Sequence, residues 1–141
     1  TKFNKHFSSV SYELYGERYA LTYDIINNKT TNKPVYKFST FNSNMSSGKK
    51  QGEILCFDLS YIMFADEEGI PCLNFLLNDK KELMHGNQLL KVADFVMKKD
   101  IQLVVSILKD KLPDNLLNKA NVVIELSQKD KLFRIENNIK E

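Results

Sequence analysis

A chain of 141 residues, 43% hydrophobic and 27% charged, is long enough to bury one core and reads as a single globular domain. Nine Phe and six Tyr argue against disorder. Twenty basic residues against 18 acidic ones leave a net charge of +2, too balanced to point to nucleic acid from charge alone. No run approaches the ~18 apolar residues of a membrane span, and no signal peptide is visible. A cytoplasmic protein with no membrane partner is expected. The chain begins at Thr1 rather than Met, as a processed or truncated piece of a longer chain would.

In chain order, Val10 to Ile26 reads as a β-hairpin. Tyr12 and Leu14 precede Gly16-Glu17, and Tyr19, Leu21, Tyr23 and Ile25 alternate with polar residues afterwards. Asn27 to Pro34 is a polar loop by its Asn and Pro content. Val35 to Phe41 is a third strand, and Asn42 to Lys50 a second polar stretch. A helix is expected over Gln51 to Glu68. Its apolar residues from Ile54 to Phe64 face nearly every side, so it is sandwiched inside the protein. Gly69 and Pro71 stop it.

Leu73 to Leu77 reads as a buried strand ending at Asn78-Asp79, and Asn87 to Lys99 as an amphipathic helix. Ile101 to Leu108 is a second buried strand. Buried strands alternating with helices imply a parallel pair joined by a crossover. Pro113 to Lys119 is a short helix opened by proline. Val122 to Leu126 and Leu132 to Ile135 form a closing hairpin, and the tail from Glu136 is polar. The fold class is α/β, with antiparallel N-terminal strands (1–44) attached to a parallel sheet with flanking helices (45–135), then a tail (136–141).

Two places can carry chemistry. Asp79 follows an apolar strand, and ligands of open α/β sheets collect beyond the carboxyl ends of strands. It either holds Mg²⁺ through water against a nucleotide phosphate or caps the turn before the next helix. Ser46, Ser47 and Gly48 precede a helix whose free N–H groups favour an anion. They form either a phosphate contact or a flexible loop with a helix cap. His85, on a polar loop beside Asp79, is either an acid–base group or a surface histidine. His6 is assigned no role. Cys56 and Cys72 lie in apolar runs without metal-ligand spacing and read as buried free thiols, a disulfide between them being left open.

Together these pieces resemble the C-terminal lobe of ABC-type ATPase heads of the SMC and RecN kind, a division of the P-loop NTPase fold. Met45-Ser46-Ser47-Gly48-Lys49 resembles a degenerate signature motif, and Leu73 to Asp79 resembles a Walker B strand. Cys56-Phe57-Asp58-Leu59, the strand ending in Asp79, and Lys111-Leu112-Pro113 resemble a bacterial family of coiled-coil, SMC-like ATPases of the YydD-like type. The resemblance covers roughly residues 45 to 135. It implies that Ser46, Ser47 and Gly48 meet the ATP of a partner head, while Asp79 serves Mg²⁺ in its own. It further implies a parent protein supplying an N-terminal lobe and a coiled coil, homodimer formation, and DNA or an accessory protein as a further partner.

The departures are specific. Lys80 stands where active heads carry the Glu that orients water, Ile107 where a switch His is expected, and Gly86 where a D-loop Asp is expected. No G-x-x-x-x-G-K-[ST] is present, so the fragment alone is expected to be inactive. Lys80, His85 and Ser106 are candidate accessory residues. The alternative is a non-catalytic interaction module that keeps a pseudo-ATPase fold, with Tyr12, Tyr15, Tyr19, Tyr23 and Tyr36 as partner surface. A nuclease or phosphatase would need a two-metal carboxylate cluster, and Glu53, Asp58, Glu67 and Asp79 lack that spacing. A triad of Ser106, His85 and Asp79 lacks a G-x-S-x-G elbow.

Overall fold

Helix α1, Lys2–Tyr15, occupies the place where the sequence suggests the first arm of a hairpin. Phe3, Phe7, Val10 and Leu14 recur at helical spacing, and Phe7, Val10 and Leu14 are fully buried. Thr1 caps the helix by accepting the Asn4 N–H at 3.4 Å. Gly16 ends it in the left-handed region, φ 71°, donating its N–H to the Tyr12 carbonyl at 2.8 Å. The alternation of tyrosines is real, but Tyr12 points outward and Tyr15 leans on the core. The helical period wins because it gathers four apolar side chains on one face.

The computed structural model describes residues 1–40, 47–79 and 86–127. The remaining elements are β1 (Leu21–Asn27), β2 (Pro34–Thr40), α2 (Ser47–Glu67), β3 (Phe75–Asn78), α3 (Gly86–Lys98), β4 (Gln102–Val105), a 3₁₀ turn (Lys109–Lys111) and α4 (Asp114–Leu117). The chain is thus mixed α/β. β1 and β2 form an antiparallel pair and β3 and β4 a parallel one, two separate sheets among the described residues rather than one attached sheet.

The core lies between helices. Phe7, Val10 and Leu14 of α1 meet Leu55, Cys56, Leu59 and Ile62 of α2 and Leu89, Val92, Phe95 and Val96 of α3. Phe3 and Phe7 meet Phe57 at 5.1 and 6.1 Å between ring centroids, tying α1 to α2. α1 also grips the start of the hairpin. Asn4 accepts the Leu21 N–H at 2.9 Å and donates to the Leu21 carbonyl at 3.0 Å. The Ser11 hydroxyl accepts the Tyr19 N–H at 2.9 Å.

The expectation of a sandwiched α2 holds on one side only. Ile54 and Tyr61 are exposed on its outer face, while Phe57 between them leans on Phe3 and Phe7 of α1. The parallel strands likewise are not buried on both faces. Leu76 and Leu103 pack on the core, whereas Leu73 and Leu77 are exposed. Residues 121–127 are exposed and form no strand, in contrast to the expected hairpin arm. A strand needs a neighbour for its backbone groups, and none is present there among the described residues. The other arm, Leu132–Ile135, and the tail lie outside the described residues.

Candidate functional site

β3 and β4 run parallel in the register Phe75–Gln102, Leu76–Leu103, Leu77–Val104 and Asn78–Val105. The pairing is extended at both ends: Gln102 N–H donates to the Asn74 carbonyl at 2.8 Å, and Ser106 N–H to the Asn78 carbonyl at 3.0 Å. The last bond brings Asp79 and Ser106 out side by side at the carboxyl edge of the pair, both exposed. A carboxylate and a hydroxyl at such an edge are hard oxygen donors suited to Mg²⁺ or to a phosphate-bound water.

Asn78, one step back, was not singled out by the sequence. Its side chain lies on the same face as Leu76, and its Nδ2 is buried without a hydrogen-bond partner. Buried amides are nearly always paired, and this orphan donor sits next to Asp79 in the chain.

Of the other sequence candidates, Ser47 and Gly48 lie in the first turn of α2 rather than in a loop ahead of it. The first turn of a helix leaves its N–H groups without intrahelical acceptors, so this position keeps the anion preference that motivated the assignment. Ser46, Lys80 and His85 lie outside the described residues. Ile107, where a switch histidine was sought, is half-buried against the core. Gly86 opens α3 in close contact with Pro113: a Cβ there would fall 2.8 Å from Pro113 Cγ. Packing accounts for both residues.

A second polar place was missed. His6, assigned no role from the sequence, sits in α1 with Nε2 2.6 Å from Glu67 Oε2. With Asp66, Asn74 and Lys99 these residues line a shallow cleft of about 260 Å³. Its signal was the helical stripe of α1, which fixes His6 one residue from Phe7. Both cysteines are free; Cys56 is buried as expected, but Cys72 is exposed. Burial, with Glu53 nearby, pushes the Cys56 thiol up to about 12. No group of three or more His, Cys, Asp or Glu able to hold a metal occurs among the described residues. No helix among them is long and apolar enough to cross a membrane.

The sequence profile of a family described as an uncharacterised protein conserved in bacteria, DUF2326, matches residues 10–137. The chain belongs to that family. The DUF2326 chain also superposes on a solved chain from work on ATP-driven dimerization and DNA-stimulated activation of SMC ATPases. The TM-score is 0.51 and the identity 19%, over 99% of this chain and 92% of the other. At that identity the likeness is one of fold. No curated protein matches.

Proposed function

We propose that the DUF2326 chain is the C-terminal lobe of an SMC-like ABC-type ATPase head. In this reading Asp79 holds Mg²⁺ through water in its own head, together with nucleotide phosphate, because a single carboxylate is not a complete site. Ser106 lies beside it as an accessory hydroxyl. Ser46, Ser47 and Gly48 face the ATP of a second head, so that nucleotide joins the two heads. Lys80 and His85 are accessory residues in this reading, and a coiled coil of the parent protein transmits the change. DNA maintenance or defence is the setting in which such a head works.

The observation that carries this reading is the position of Asp79 beside Ser106 at the carboxyl edge of a parallel pair too small to stand alone. Parallel sheets are normally covered on both faces, and two strands are below the number that is independently stable. Here the outer face is bare at Leu73 and Leu77, as are Ile54 and Tyr61 of α2 and the run Val122-Val123-Ile124. An N-terminal lobe of the parent protein would cover these surfaces.

Sedimentation velocity of the full-length parent, with and without ATP and Mg²⁺, tests the reading. Nucleotide-dependent dimers that are lost in Ser47→Arg, with nucleotide binding intact, are the expected result. Dimers indifferent to nucleotide would contradict it. They would favour a non-catalytic module, the reading supported by the purely structural roles of Ile107 and Gly86.

A further inference from the structure

The β1–β2 hairpin carries a surface that the ATPase reading does not use. In its register Tyr23 faces Phe38, Ile25 faces Tyr36 and Leu21 faces Thr40, so these residues share one side of the ribbon. Tyr23, Ile25, Tyr36 and Phe38 are 55%, 60%, 59% and 62% exposed. The three rings form one cluster, Tyr23 lying 5.6 Å from Tyr36 and 6.3 Å from Phe38 between centroids. Tyr15 and Tyr19, grouped with Tyr23 and Tyr36 by the sequence pattern, belong instead to the interior.

Charge separates this surface from an ordinary protein contact. The hairpin from Leu21 to Thr40 holds Lys29, Lys33 and Lys37 against Asp24 alone, a net +2 that equals the charge of the whole chain. Elsewhere 17 basic residues balance 17 acidic ones. Lys29 and Lys33 flank a closed tip. There Asn28 N–H donates to the Lys33 carbonyl at 2.9 Å, and Asn28 Oδ1 accepts from the Thr30 and Thr31 N–H groups at 2.9 and 3.1 Å. Lys37 and Asp24 face each other on the opposite side of the ribbon.

We infer that this hairpin is a platform for single-stranded nucleic acid. Unpaired bases stack on Tyr23, Tyr36 and Phe38 while the lysine-bearing tip follows the phosphates. Aromatic rings with adjacent cations suit unpaired bases of any sequence. A duplex hides its base faces inside its own stack, so it could offer this surface only its backbone.

Fluorescence anisotropy of a labelled oligothymidylate of about 15 nucleotides against the whole protein, without ATP or Mg²⁺, tests the inference. DNA and RNA strands form separate arms. Binding at low salt is expected to weaken about tenfold in Tyr23→Ala and again in Phe38→Ala. Its dependence on salt should have a log–log slope of about −1.4 for the two tip lysines. Lys29→Gln with Lys33→Gln should flatten that slope. Asp79→Ala should leave binding unchanged, so the inference stands or falls apart from the nucleotide site.

Circular dichroism should show each variant folded, since these side chains are exposed. Absence of binding by folded protein would overturn the inference. So would equal affinity for a duplex of the same length, or ring variants that bind as wild type does. Self-association that the ring variants abolish, with no oligonucleotide bound, would make the surface a contact between copies instead.

Discussion

Gly52 of α2 lies directly against the ring of Tyr15 in α1: a Cβ at Gly52 would sit 2.5 Å from Tyr15 Cζ and 2.6 Å from its hydroxyl oxygen. A glycine inside a helix costs about 1 kcal/mol relative to alanine, and here the loss is offset by the room it leaves for the Tyr15 ring. Gly52→Ala is therefore expected to destabilise the chain by about 1–3 kcal/mol through overpacking, as read by urea denaturation. The Tyr15 hydroxyl is buried without a partner, and burial pushes its pKa well above the ordinary value. Tyr15→Phe removes that orphan and should be neutral or stabilising by about 1 kcal/mol.

The helical core should make the protein alkali-sensitive. The Cys56 thiol rises from 9.0 to about 12 and the Tyr19 hydroxyl from 10.0 to about 12, burial being the first cause in each. In the unfolded chain both groups deprotonate at their ordinary values, while the folded chain keeps the protons. The unfolded state then binds fewer protons, so stability falls as pH rises. The core is at full strength below about pH 9 and loses up to about 1.4 kcal/mol per pH unit per group up to about pH 12. Cys56→Ala should lower stability at neutral pH by about 1 kcal/mol and flatten the first part of that decline.

The Asn4 clamp positions the hairpin. Asn4→Ala would leave the N–H and the carbonyl of Leu21 without their side-chain partner. A cost of about 1–3 kcal/mol is expected, with faster amide exchange at Leu21 than in α2. Exchange unchanged at Leu21 would mean that strand pairing alone holds the hairpin base.

Gly86 and Pro113 form a second tight approach. Gly86→Ala places a methyl against a proline ring with little freedom to move, and a loss of about 1–2 kcal/mol is expected. Pro113→Ala in the same chain should recover part of it, a coupling that a double-mutant cycle measures.

How much of this was legible in the sequence follows from which signals were local. The α3 pattern and the β2 alternation were enough to place those elements within a residue or two, and the Asp79 strand end lies where its apolar run stops. Residues 10–15 were misread because Tyr12 and Leu14, followed by the alternating tyrosines beyond Gly16, imitate a strand. Thr1 and Gly16, a cap and a stop at the two ends, were the contrary signs. Burial was overestimated for Leu73, Leu77, Ile54 and Tyr61, since an apolar run does not say which neighbour covers it. The reasons for Gly52 and Gly86, the Tyr15 ring and the Pro113 ring, are distant in sequence and left no local sign. The Asn78 orphan amide and the His6–Glu67 pair likewise depend on tertiary contact.

The most direct test of the central claim is calorimetric ATP binding by the full-length parent protein, with and without Mg²⁺, beside an Asp79→Ala variant. Binding that Mg²⁺ strengthens is expected in the wild type, with that strengthening lost in the variant. ATP binding absent from both proteins, or equal in both with Mg²⁺ present, would contradict it.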